Sequence, residues 1–377
     1  MLWLNLFLLT IIANLFVIKY AIINKTTIFA MCKFTTIILN KLILKRILSH
    51  IIKYGLPLLL GLGIFWLLYR QFDFNEILSI LQSDINFFWV VLSMIVGVLS
   101  HIVRALRWRL QLVSLGINPS FSTVCNAVFG TYAFNLVLPR FGELWRCTYI
   151  ANHEKSSFSR VLGSVLSERC ADTLTVLAIT LIVFLSQMGV AVEFFEQSPQ
   201  LQEKIYNLIT SPWLYIVILA VVAAIWVLLA GRIKSKITEK LQSVLFNMWD
   251  GFKSVISMQN GKIMFFVYTI MIWSCYFLQL YICIFAFDWM SHVTIMQALV
   301  LFVLGSIGMA VPVQGGIGPW HAAVIFGMTF YGFGYEQSGA FALVAHGSQM
   351  IVTVLLGIYT TIAILFDKRK NDTLINN

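Results

Sequence analysis

Charge is what this sequence has least of. Only 11% of its 377 residues are Asp, Glu, Lys or Arg, while 59% are hydrophobic. A soluble domain carries about 25% charged residues, and so small a share cannot cover a water-facing surface. The deficit excludes a soluble globular protein and leaves one whose outer surface meets lipid. Proline is also sparse, at seven residues, so a proline that ends an apolar run marks a break. The six cysteines form no Cys-x-x-Cys pair, which removes the common zinc and redox patterns. Neither a metal site, a structural disulfide nor a cofactor is expected. The Gly-x4-Gly-Lys, His-Glu-x-x-His and Gly-x-Ser-x-Gly patterns are missing as well. This argues against a P-loop ATPase, a zincin protease and a serine hydrolase.

What is present is a series of apolar runs. A spanning helix needs about 20 mostly apolar residues. Ile51–Tyr69, Phe87–Val103, Val161–Gln187, Pro212–Ala230, Ile263–Phe287 and Ala340–Phe366 meet that length. Two further stretches are interrupted. Phe121–Leu138 ends in Pro139, and Val293–Val311 leads through Pro312 and a glycine-rich turn into Trp320–Tyr335. The second of these reads either as a broken segment or as two full spans. Residues 1–50 are an apolar and basic segment, read either as carrying an extra span or as a start ahead of the true one at Met31. Residues 51–366 form one transmembrane domain, and 367–377 a short tail.

The net charge of +10 does not point to nucleic acid. The basic residues cluster between apolar runs, as in a membrane protein that fixes its orientation by keeping Lys and Arg inside. Lys41, Lys45, Arg46 and Lys53 start the first firm span inside. Arg104, Arg107 and Arg109 then read as an inside anchor that ends the second span. Glu193, Glu196 and Glu203 mark an outside loop. The basic stretch Arg232–Lys262, with an amphipathic surface helix expected at Lys234–Lys253, lies inside, and Lys368, Arg369 and Lys370 place the C-terminus there. Basic residues flank Phe121–Leu138 on both sides, so this segment is expected to enter and return. The fold class is therefore all-α, a polytopic transmembrane helix bundle with broken or re-entrant helices. Charge parity points to an inverted repeat, a common transporter plan.

Three motifs carry candidate chemistry. In Leu138–Arg146, Arg140, Glu143 and Arg146 recur every third residue. Guanidinium forks match phosphate geometry; the plainer reading is a turn whose charges face water. Glu168, Arg169 and Asp172 lie well inside an apolar run. Such charges need partners, and they read equally as an internal salt bridge or as the anionic half of an ion path. The stretch Val311–His321 places Gln314, Gly315, Gly316 and Gly318 between two prolines, with His321 one turn further on. A helix start there offers free N–H groups to an anion; the alternative is an interhelical turn. His346 and Gln349 are weaker candidates for the same cavity.

The ordered motifs RALRWR, LPRFGELWR, SERCADTL and PVQGGIG resemble the lysylphosphatidylglycerol synthase transmembrane region, a flippase-like group of polytopic membrane proteins. The resemblance covers roughly residues 50–366. It implies a multi-pass fold in the bacterial cytoplasmic membrane and a lipid-handling role. The full synthases carry an added soluble aminoacyl-transferring domain, which this chain lacks, so aminoacyl transfer is not implied. The expected function is flippase-like transport of an anionic or isoprenoid-linked lipid, with membrane lipids as partners. The alternatives are an intramembrane lipid-headgroup or glycosyl transferase, with Glu143 or His321 as base, and a non-catalytic partner of an envelope biosynthesis complex. Self-association is left open.

Overall fold

The computed structural model describes residues 55–83, 85–137, 141–189, 203, 206–207, 210–229 and 261–375. The N-terminal segment 1–50, Arg140, the acidic Glu193 and Glu196, and the expected surface helix Lys234–Lys253 lie outside the described residues. Among the described residues the secondary structure is helical, apart from an isolated bridge between Ile85 and Phe287. The helices are α1 Leu56–Tyr69, α2 Phe74–Ser83, α3 Phe87–Ser114, α4 Phe121–Val137, α5 Phe141–His153 and α6 Phe158–Ser186. They continue as α7 Pro212–Leu229, α8 Lys262–Ile284, α9 Ile295–Met309, α10 Pro319–Phe330 and α11 Tyr335–Ile375. The chain divides into two compact units, Met1–Leu59 and Leu60–Asn377. Of the first, only the opening of α1 is described; the packing below belongs to the second.

Helices α3, α6, α8 and the Tyr335–Phe366 part of α11 are long and apolar enough to cross a membrane. The all-α polytopic bundle expected from the apolar runs is thus present. Two boundaries move. The second span does not stop at Val103, because α3 continues to Ser114 and carries Arg104 and Arg107 inside the helix. Reading the first charges as the membrane surface misplaced that end: a charge that finds a partner within the protein does not need to mark the water boundary. The last helix also extends beyond the expected Phe366, since α11 runs on without a break to Ile375.

The two interrupted stretches become two helical hairpins, α4–α5 and α9–α10, each with its legs packed together. Their legs have 17 and 13 residues in the first and 15 and 12 in the second. At 1.5 Å per residue these are roughly 18–26 Å long, short of the ~30 Å hydrocarbon core. The reading of Val293–Tyr335 as two full spans is therefore disfavoured by length. In each hairpin a glycine lets one leg touch the backbone of the other. A Cβ on Gly142 would collide with the carbonyl of Thr131. A Cβ on Gly308 would lie 2.8 Å from the carbonyl oxygen of Pro319 and 2.9 Å from Cα of Trp320. Local chemistry fixes the ends. A Thr294–Gln297 capping box starts α9, satisfying N–H groups that the helix leaves open, and Pro319 starts α10, where its missing N–H costs nothing.

Two apolar clusters hold the bundle. The first joins Phe72, Ile284, Phe287, Leu301, Trp320 and Phe341. The second joins Trp108, Leu112, Val128, Ile150, Val165 and Val352. Large apolar side chains such as Ile263, Ile270, Leu355 and Ile362 point outward, the expected surface of a bundle solvated by lipid.

Candidate functional site

The site is built from α3, α5, α6 and α8. Past the midpoint of α3, Arg104 and Arg107 are one turn apart and share a face. On α6, Glu168 and Asp172 have the i, i+4 spacing that brings both carboxylates to one face. These faces meet. Arg104 Nη1 donates to Asp172 Oδ2 at 2.8 Å and also contacts Glu168 Oε1. Arg107 Nη2 reaches Asp172 Oδ1 at 2.7 Å, and its Nη1 donates to Thr269 of α8 at 3.0 Å. From α5, Arg146 Nη1 donates to Glu168 Oε2 at 3.1 Å, with its guanidinium 4.7 Å from the Trp108 ring centre. Arg169 bonds its neighbour Glu168 at 2.8 Å and lies 3.5 Å from Asp172.

Four guanidiniums therefore converge on two carboxylates, and the cluster carries positive charge in excess. Glu168, Arg107, Arg146 and Arg104 are buried. Buried ions are tolerated only when paired and hydrogen-bonded, so Glu168, which all four arginines approach, is the keystone. The satisfaction is incomplete. Nε of Arg107, Nε and Nη2 of Arg146 and Nε of Arg169 have no hydrogen-bond partner among the described residues. Arg169 differs from the other three: its side chain is 42% exposed.

Arg169 opens onto a cavity of about 810 Å³. Its polar lining includes Arg104, Asp172, Glu143, Asn135, Tyr132 and Tyr276. Its apolar lining includes Leu301, Phe302, Met309, Val311 and Trp320. The hairpin tip that carries Glu143 is held by Asn135, whose Oδ1 accepts from the Gly142 N–H at 2.8 Å and whose Nδ2 donates to Glu143 at 3.4 Å. Glu143 Oε2 is buried with no hydrogen-bond partner among the described residues.

Of the residues singled out from the sequence, Arg146, Glu168, Arg169 and Asp172 come together in the ionic cluster. Arg169 pairs within α6; no ion pair joins it to Glu143 among the described residues. Glu143, Gly315, Gly316 and Gln349 line the cavity, whereas Arg140 lies outside the described residues. Gln314, Gly318, His321 and His346 are not among the lining residues. The backbone of Gly318, at φ +92°, packs against Gly61 and Phe65 of α1, where a Cβ would come within 2.5 Å of the Gly61 carbonyl. His321 is buried among Phe65, Tyr69, Trp320 and His346, and His346 Nε2 meets the Gly315 carbonyl at 2.8 Å. Sequence reasoning missed Arg104 and Arg107 as members of the cluster. Their i, i+3 spacing, repeating that of Glu143 and Arg146, was the available signal. Tyr132 and Tyr276, each among other aromatics in apolar runs, gave none.

Compared with known proteins, the chain matches the family model for the lysylphosphatidylglycerol synthase TM region over residues 55–357. That stretch contains every charged residue of the cluster and both hairpins. No curated protein and no solved structure matches the chain. A match over most of the length, on a multi-helix membrane bundle, supports one assignment: this chain belongs to the lysylphosphatidylglycerol synthase TM-region family.

Proposed function

We propose that the protein carries a lipid with an anionic headgroup across the bacterial cytoplasmic membrane. The observation that supports this reading is a cavity lined by both charged and apolar side chains. Arg104 and Arg169 belong to its polar lining, and Leu301, Phe302 and Met309 to its apolar lining. A lipid is amphipathic in the same sense. Its headgroup would sit against the guanidinium side, where charge-assisted hydrogen bonds are strongest. Its chains would run along the apolar side, where burial is favoured by area alone. The surplus of positive charge in the cluster behind Arg169 favours a negative headgroup. The half-exposed Arg169 is the residue best placed to touch it.

The test is translocation of a fluorescent phosphatidylglycerol in vesicles containing the full-length protein, followed by surface quenching. The wild type is expected to move the lipid faster than protein-free vesicles do. Arg169→Gln is expected to slow that movement about tenfold, the loss of one hydrogen bond to a charged group. A wild-type rate equal to the protein-free background, across several anionic lipids, would sink the proposal.

A further inference from the structure

The polar lining contains a chain of hydrogen bonds whose direction is fixed by chemistry. An arginine can only donate. Arg104 sends Nε and Nη2 to the hydroxyl oxygen of Tyr276, at 3.2 and 3.1 Å. Its other terminal nitrogen is committed to Glu168 and Asp172, so the guanidinium cannot turn away. A phenol oxygen that already accepts two hydrogen bonds has only its own proton left to give. The hydroxyl oxygen of Tyr132 stands 3.4 Å away and is the acceptor placed to receive it. Tyr132 then accepts from Tyr276, and its own proton points onward. Tyr132 belongs to the cavity wall, and its ring lies against His101, centres 4.3 Å apart, which limits how the phenol can swing.

We propose that Arg104, Tyr276 and Tyr132 form a one-way donor chain that makes Tyr132 a specificity-determining residue. Its hydroxyl gives a hydrogen bond to an anionic phosphate oxygen in the cavity and discriminates against a group that offers only N–H donors at that point. The inference rests on the anionic-lipid reading above and adds the residue that chooses the headgroup. Arg104 and Tyr276 are positioning residues, acting through Tyr132. Successive hydrogen bonds polarise one another, so a phenol fed from a guanidinium is a stronger donor than an isolated one.

The experiment uses the full chain in detergent. It measures binding of phosphatidylglycerol, of diacylglycerol with the same acyl chains, and of inorganic phosphate. Tyr132→Phe is expected to weaken phosphatidylglycerol binding about tenfold, the loss of a hydrogen bond to a charged acceptor, and to leave diacylglycerol binding unchanged. Replacing Tyr132 by 3-fluorotyrosine, below the pH at which the fluorinated phenol ionises, strengthens the donor without altering the packing. It is expected to tighten phosphatidylglycerol binding about twofold, a gain that a purely structural tyrosine would not give. If Tyr132→Phe unfolds, the fluorinated protein decides alone. Unchanged affinity in Tyr132→Phe, or weaker binding by the fluorinated protein, overturns the donor chain and leaves the lipid reading standing. A wild type that does not prefer phosphatidylglycerol to diacylglycerol overturns both. Equal binding of inorganic phosphate, with the same loss in Tyr132→Phe, keeps the donor chain and overturns the lipid reading.

Discussion

The two hairpins are alike in backbone and opposite in chemistry. Each is a pair of half-length helices, and each lets a glycine, Gly142 or Gly308, touch the backbone of the facing leg. The first brings Glu143 to the cavity and Arg146 into the ionic cluster. The second brings Met309, Val311 and Trp320 to the cavity lining, and its histidine, His321, is packed among aromatic rings. The geometry of a broken segment is therefore independent of the charge it carries. An amphipathic cavity results from using the same device twice with different side chains.

The comparison is broken most severely at the keystone of the charged side. Glu168→Gln leaves buried guanidiniums without their shared anion, which costs about 3–5 kcal/mol when one partner of a buried pair is lost. The expected outcome is little or no monodisperse protein on size-exclusion chromatography. The likeness of the hairpins is tested next. Gly142→Ala and Gly308→Ala each push a methyl group into facing backbone, and overpacking of this kind costs about 1–3 kcal/mol. Both should lower the melting temperature in detergent by similar amounts; a drop in one alone would show that the hairpins are not equivalent supports. The smallest effect is expected on the uncharged side. His321→Phe keeps an aromatic ring among aromatic neighbours and should change stability by less than about 1.5 kcal/mol, with lipid translocation unaltered. A translocation defect there would return His321 to the functional site.

Much of this was legible in the sequence because lipid imposes a simple code. Apolar run length gave α3, α6, α8 and α11, and Pro312 and Pro319 bracketed the turn of the second hairpin. Depth within an apolar run exposed Glu168 and Asp172 as residues in need of partners. The partners themselves were harder to find. A basic cluster with no acid nearby in sequence looks the same whether it faces headgroups or carboxylates more than 60 residues away, as Arg104 does with Glu168 and Asp172. The glycine motif was only partly legible for a related reason. Gly315, Gly316 and Gly318 all adopt positive φ, which suits a ligand loop, but at Gly318 the space is taken by α1. Residue type could announce a close approach without saying what approaches.

The glycine contacts inside the hairpins also constrain how the molecule can move. Backbone pressed on backbone has no slack, so each hairpin behaves as a stiff wedge that must shift whole or not at all. The compliant seam is elsewhere. Met309 and Met350 both line the cavity and rest against the Gly315–Gly316 turn. Methionine side chains re-pack at low cost. That seam lies apart from the ionic cluster, which four arginines clamp across three helices.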